Sequence, residues 1–133
     1  MIRHQPWARL HEVELFDGLR APQLAAVDRL FTEVMLPAGT DLIAEGGVGR
    51  EFFVIADGEV TVRRGRHEVA RLRKGDFVGE VALLGDGPRN ATVRALTDVR
   101  VLVQNRREFA SLLDAVPVVG KRVRAAAAER LAA

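Results

Sequence analysis

The 133-residue sequence predicts a mainly β fold with flanking helices: an eight-stranded antiparallel jelly roll or β-barrel, N-terminal helices, a short helix inserted between strands and two C-terminal helices. Three observations carry this. Short β-prone segments broken by glycines fill the stretch from Thr32 to Asn105, apolar residues at both ends recur with helical spacing, and "EVALL" interrupts the strand pattern.

The N-terminal helices are placed in residues 1–31. Leu15 and Phe16 form a hydrophobic anchor feeding a turn at Gly18. Pro22 suits a first helical turn, and Leu24, Val27, Leu30 and Phe31 then lay one apolar stripe against a core. Trp7, on a short amphipathic segment, is assigned to packing.

The roll is placed in residues 32–105. Its strands are "TEVML", "DLIAEGG", "EFFVIA", "EVTVRR", "EVARL", "DFVGE", "ATVRAL" and "VRVLVQ", and Asp57-Gly58 predicts a tight hairpin between the third and fourth. Gly39, Gly46, Gly47, Gly58, Gly65 and Gly75 fall where corners are needed. In residues 106–133, Phe109, Leu112, Leu113 and Val116 share a helical face, Pro117 restarts the chain, and "VVGKRVRAAAAERLAA" continues as an alanine-rich helix.

A chain of this length, 48% hydrophobic, buries roughly two thirds of its unfolded surface, which predicts one domain over 1–133 with no linker. A formal net charge of +2 does not call for nucleic acid. "RRGRH", residues 63–67, reads as a solvated hairpin tip, since no aromatic residues interleave with it to stack bases. The start "MIRHQPWARL" lacks a secretory apolar segment and no run approaches a membrane span, so a cytoplasmic protein is expected. With no cysteine, and with His4, His11 and His67 at no ligand-like spacing, neither redox chemistry nor a metal site is predicted. Asp57, Glu59 and Asp86 sit at turn positions that suit backbone capping rather than acid–base work, and no catalytic residue is expected.

Chemistry concentrates in "GEVALLGDGPRNATV", Gly79 to Val93. "EVALL" is too leucine- and alanine-rich for a strand and follows a glycine, so it reads as a turn or two of helix whose first N–H groups, around Val81 to Leu83, favour an anion. Arg89 follows a Gly87-Pro88 turn that doubles the chain back toward the same spot. Glu80 adds a strong acceptor beside it, as a sugar hydroxyl requires. An anion next to a sugar hydroxyl describes a nucleotide. The rival reading is a buried Glu80–Arg89 salt bridge that staples the roll.

Phe77, Gly79, Glu80, Ala82 and Leu83, followed by Pro88, Arg89, Ala91 and Thr92, form a cassette over 77–93 that resembles the phosphate-binding cassette of cyclic nucleotide-binding domains. "LFDGL", "LPAGT", "FFVIADGEV" and "ALTDVRVLV" resemble the same family in the same order. The resemblance implies cyclic AMP or cyclic GMP as ligand. Arg89 with Ala82, Leu83, Asn90 and Ala91 would hold the phosphate, Gly79 and Glu80 the ribose, and Val62, Ala70, Val78 and Arg124 the purine. Asn90 departs from the alanine, serine or threonine usual after the arginine and offers both a donor and an acceptor, with cyclic AMP favoured. On a helical wheel Arg124 shares a face with Gly120, Ala127, Ala128 and Leu131, whereas Arg122 points nearly opposite with Glu129. Arg124 is therefore the expected lid over the base, resembling the terminal-helix arginine of bacterial channel-type domains. The sequence predicts a sensor that couples occupancy to its C-terminal helix and acts on an effector outside the chain. The alternative is a ligand-free structural or protein-interaction module; an enzyme such as a phosphodiesterase lacks its metal ligands and general base.

Overall fold

The computed structural model of the chain describes residues 10, 12–48, 50–85 and 88–132. His4, Trp7, His11, Asp86 and Gly87 lie outside the described residues. A 3-10 turn, Glu14–Phe16, precedes helix α1 (Ala21–Asp28), with a proline in its first turn. Eight strands follow: β1 (Thr32–Leu36), β2 (Asp41–Ile43), β3 (Glu51–Asp57), β4 (Glu59–Arg64), β5 (His67–Arg73), β6 (Phe77–Val78), β7 (Thr92–Ala95) and β8 (Val99–Asn105). Helix α2 (Glu80–Gly85) interrupts them between β6 and β7, and α3 (Arg106–Ala115) and α4 (Pro117–Ala132) complete the described chain. Asn105 caps α3 by accepting from the Glu108 N–H at 2.7 Å.

The strands form two antiparallel four-stranded sheets, in the orders β1-β8-β3-β6 and β2-β7-β4-β5. Strands β1, β3, β6 and β8 thus belong to one sheet and the rest to the other, so every connection between successive strands crosses between sheets except β4 to β5. That corrects the hairpin expected at Asp57-Gly58. β3 pairs with β6 and β8, and β4 with β5 and β7, so Asp57-Gly58 is a corner between sheets. Gly58 is needed there for two reasons. Its φ is +91°, and a Cβ would come within 2.5 Å of the Asp98 carbonyl oxygen, on the opposite corner. The two corners are docked by the Glu59 N–H, which donates to Thr97 Oγ1 at 3.1 Å.

The near-continuous apolar run of β3 follows from its central place. Phe53 and Ile55 face into the roll with Ile43, Val60, Val93, Ala95, Val99 and Val101. Phe52 and Val54 face the helices, with Leu24, Val27, Phe109, Leu112, Val116, Val119 and Val123. Phe52 is the hub of that layer, its ring centroid 4.9 Å from that of Phe109 and 5.7 Å from that of Phe77.

Gln104 is the odd residue in this layer. It pairs directly with Phe52 across the β3–β8 ladder and is wholly buried, yet neither amide atom has a hydrogen-bond partner among the described residues. A buried unpaired amide carries its full desolvation cost. Gln104→Met, which keeps the length and removes the polar atoms, is expected to raise stability by about 1 kcal/mol. Thermal unfolding followed by circular dichroism checks this; a midpoint equal to or below wild type shows that the amide is satisfied in solution.

Candidate functional site

The inner faces of β4, β5 and β7 and the start of α2 enclose a cavity of about 260 Å³. Its wall is apolar, from Ile43, Val62, Val69, Ala70, Leu72, Val78 and Val93, and its polar groups are concentrated in a few side chains. The parity of the strands explains the wall. β4 pairs with β7 without a register shift, so Val60, Val62 and Arg64 share the inward face.

Gly79 links β6 to α2 with a φ of +105°, and a Cβ on it would lie 2.5 Å from the Glu51 carbonyl oxygen and 3.2 Å from Arg89 Nη1. Only glycine lets the cassette pass this close to β3. Arg89 is pinned from the other side: its N–H donates to the Gly47 carbonyl and its carbonyl accepts from the Gly46 N–H, both at 2.8 Å. Its side chain, 7% exposed, donates from Nη1 to the Gly79 carbonyl at 2.9 Å and from Nη2 to the Glu51 carbonyl at 2.6 Å. Burial lowers the Arg89 guanidinium from its ordinary value, against the opposing pull of Glu51 and Glu80. The guanidinium remains charged, and the donors of its fork beyond those two are suited to an anion in the cavity.

Glu80, the first residue of α2, is 1% exposed. One carboxylate oxygen accepts from the Val81 N–H at 3.1 Å and the other pairs with Arg130 Nη1. Burial pushes the Glu80 carboxyl above its ordinary value, and the charge of Arg130 holds it down. Arg130 is itself fixed by two contacts with Phe77. Nη2 donates to the Phe77 carbonyl at 2.8 Å, and the guanidinium carbon stands 5.0 Å from the centroid of the ring.

Of the residues expected at the site, Val62, Ala70, Val78, Gly79, Glu80, Ala82, Arg89, Asn90 and Ala91 line this one cavity. Leu83 and Arg124 are not in its lining. Leu83 is buried in the helical layer instead. Arg124 is exposed, its guanidinium folded back one turn toward Gly120, and the α4 arginine that reaches the cavity is Arg130. The reason is the wheel. Val119, Gly120, Val123 and Ala127 are the buried positions of α4, and Arg130 continues that stripe. The alanines on every side of α4 left the stripe ambiguous, and it is decided by the burial of Val119 and Val123 while Val118 stays exposed. Arg122, expected to face solvent, donates to the carbonyls of Leu15 at 3.0 Å and Asp17 at 2.8 Å and so ties α4 to the N-terminal turn. The rival reading of a Glu80–Arg89 salt bridge does not hold, since Glu80 pairs with Arg130 and Arg89 donates to carbonyls. Arg64, read as part of a solvated tip, lines the cavity; its parity with Val60 and Val62 was the signal that identifies it. None of the described helices is long and apolar enough to cross a membrane.

A family profile described as the cyclic nucleotide-binding domain matches residues 33–116, more than half the chain. A cyclic nucleotide-gated potassium channel of Rhizobium etli is 36% identical over 124 residues, covering 93% of this chain and 35% of the channel. A cAMP-dependent protein kinase regulatory subunit of Hypocrea atroviridis is 36% identical over 116 residues, 86% of this chain and 25% of the subunit. The chain therefore spans about a quarter to a third of the length of these two relatives. Among solved structures, the catabolite activator protein of Thermus thermophilus superposes with a TM-score of 0.81 at 28% identity, covering 88% of this chain and 57% of that one. With two antiparallel sheets, an inserted cassette helix and a buried arginine and glutamate at one cavity, the chain belongs to the cyclic nucleotide-binding domain family.

Proposed function

We propose that this chain is a non-catalytic sensor of a 3′,5′-cyclic nucleotide, and that occupancy of its cavity is read out by α4. The observation that carries the proposal is the presence of two buried charged groups, Arg89 and Glu80, at one apolar cavity that α4 reaches through Arg130. Arg89 takes the cyclic phosphate with the backbone around Ala82, Asn90 and Ala91, Glu80 and Gly79 take the ribose 2′-hydroxyl, and Val62, Ala70 and Val78 pack against the purine. Cyclic AMP is the ligand favoured by the relatives, which include cAMP-dependent kinase subunits. The effector lies outside this chain, as the larger relatives suggest.

Coupling follows from a shared partner. A ribose hydroxyl and Arg130 both converge on the Glu80 carboxylate, so binding and the seating of α4 draw on the same acceptor and shift one equilibrium. The same pair favours a second reading, a ligand-free interaction module, because it satisfies Glu80 without a ligand. Titration calorimetry with cyclic AMP and cyclic GMP separates the two: absence of heat, together with an unchanged melting temperature at high nucleotide concentration, supports the module.

Four variants test the assignments. Arg89→Ala is expected to weaken binding by about 2 to 3 kcal/mol, roughly 30- to 150-fold; a loss of only a few-fold removes Arg89 from the phosphate. Glu80→Ala is expected to bind cyclic AMP and 2′-deoxy cyclic AMP equally, whereas wild type prefers the former; a preference that survives in the variant assigns the ribose to another group. Arg130→Ala is expected to speed nucleotide dissociation about tenfold, measured by stopped-flow displacement, while Arg124→Ala stays within about twofold of wild type. Equal effects of the two would show that α4 is not read through Arg130.

A further inference from the structure

We infer that Arg64 opens this site to cyclic GMP by reading the six-membered edge of a guanine, and so sets the purine preference of the chain. The inference rests on the cyclic-nucleotide reading above and concerns a residue to which that reading gives no role.

Arg64 ends β4, two residues beyond Val62 on the same inward face, and lines the cavity beside Val62, Val69 and Ala70. The partner strand supports this. The β4–β5 ladder shifts register between Val62 and Arg63, pairing Val62 with Ala70 and Arg63 with Glu68, so Val69 is the extra residue of a bulge. The bulge brings Val69 into the lining next to Ala70. The half-buried arginine thus borders an apolar wall formed by the half-buried Val62 and the exposed Val69 and Ala70.

Its Nε is buried and has no hydrogen-bond partner among the described residues. Arg89 and Arg130, the other arginines of the lining, both donate to protein acceptors. A buried N–H without an acceptor costs free energy that a ligand acceptor restores, so the cavity selects for a ligand that brings one here. The guanidinium fork matches two acceptors side by side. Guanine presents such a pair, O6 and N7, on one edge; adenine presents N7 beside an amino group that is itself a donor and opposes the fork. A purine packed along Val62 places that edge toward the next inward residue of β4, which is Arg64.

The test is titration calorimetry of the full chain and of Arg64→Ala and Arg64→Gln with cyclic GMP, cyclic IMP and cyclic AMP. Cyclic IMP carries O6 and N7 without the 2-amino group, so it isolates the edge that Arg64 is inferred to read. Wild type is expected to bind all three. Arg64→Ala is expected to lose about tenfold for cyclic GMP and cyclic IMP and no more than about twofold for cyclic AMP. Equal losses for all three nucleotides overturn the inference and assign Arg64 to the phosphate; no loss for any overturns it outright. Arg64→Gln, which keeps a neutral donor, is expected to retain part of the cyclic GMP affinity, and a melting temperature within a few degrees of wild type shows that either variant has folded. If wild type binds cyclic AMP but neither oxopurine, this inference fails while the sensor reading stands. If it binds none of the three, both fail.

Discussion

A guanidinium buried in a mostly apolar interior must have acceptors, and the way Arg89 finds them organises the cavity end of the molecule. By donating to the carbonyls of Gly79 and Glu51, Arg89 fastens the start of α2 to β3, the strand buried on both faces. Its backbone fastens the same point to the loop after β2. Three segments distant in sequence therefore converge on one side chain. Gly79 is the geometric condition for that convergence, since any side chain there meets the Glu51 carbonyl. Removing Arg89 would leave two carbonyls without their donors as well as the cavity without its cation.

Glu80 and Arg130 form the second layer of this arrangement. The carboxylate, placed by α2, is held against its own desolvation by a charge delivered from α4, and Arg130 is steadied by the ring and carbonyl of Phe77. Phe77 in turn packs on Phe52, the centre of the helical layer. The polar end of the cavity and the apolar contact between sheet and helices are consequently joined through one aromatic residue. Displacing α4 alters an ion pair and an aromatic stack together.

Much of this was legible in the residues. The eight strands were readable because glycines stood at most of the corners and β-branched and aromatic residues between them, and the cassette helix was readable because leucine and alanine interrupted that pattern. What was not legible depended on tertiary context. Asp57-Gly58 has the local chemistry of a hairpin, and only the docking of the opposite corner at Asp98 turns it into a passage between sheets. Arg130 was hidden because alanines surround α4 on all sides, and the burial of Val119 and Val123 is decided by the sheet and α3. Arg64 was hidden by its neighbours: four basic residues around one glycine look solvated, and the parity that turns one of them inward is a property of the strand.

The path of the chain between the sheets has a consequence for how the protein is made. Only the β4–β5 ladder joins strands that are adjacent in both sequence and sheet, while β1 pairs with β8, Thr32 opposite Val103. Pairings between such distant strands pay the entropy of closing a long loop before any contact repays it. On the ribosome, β1 must wait unpaired until nearly the whole roll has emerged, and the β4–β5 ladder is the one piece of sheet able to form early. The wall that carries Val62, Arg64 and Ala70 is in that sense the first part of the pocket the nascent chain can build, and the seating of Arg130 on the last helix is the final one.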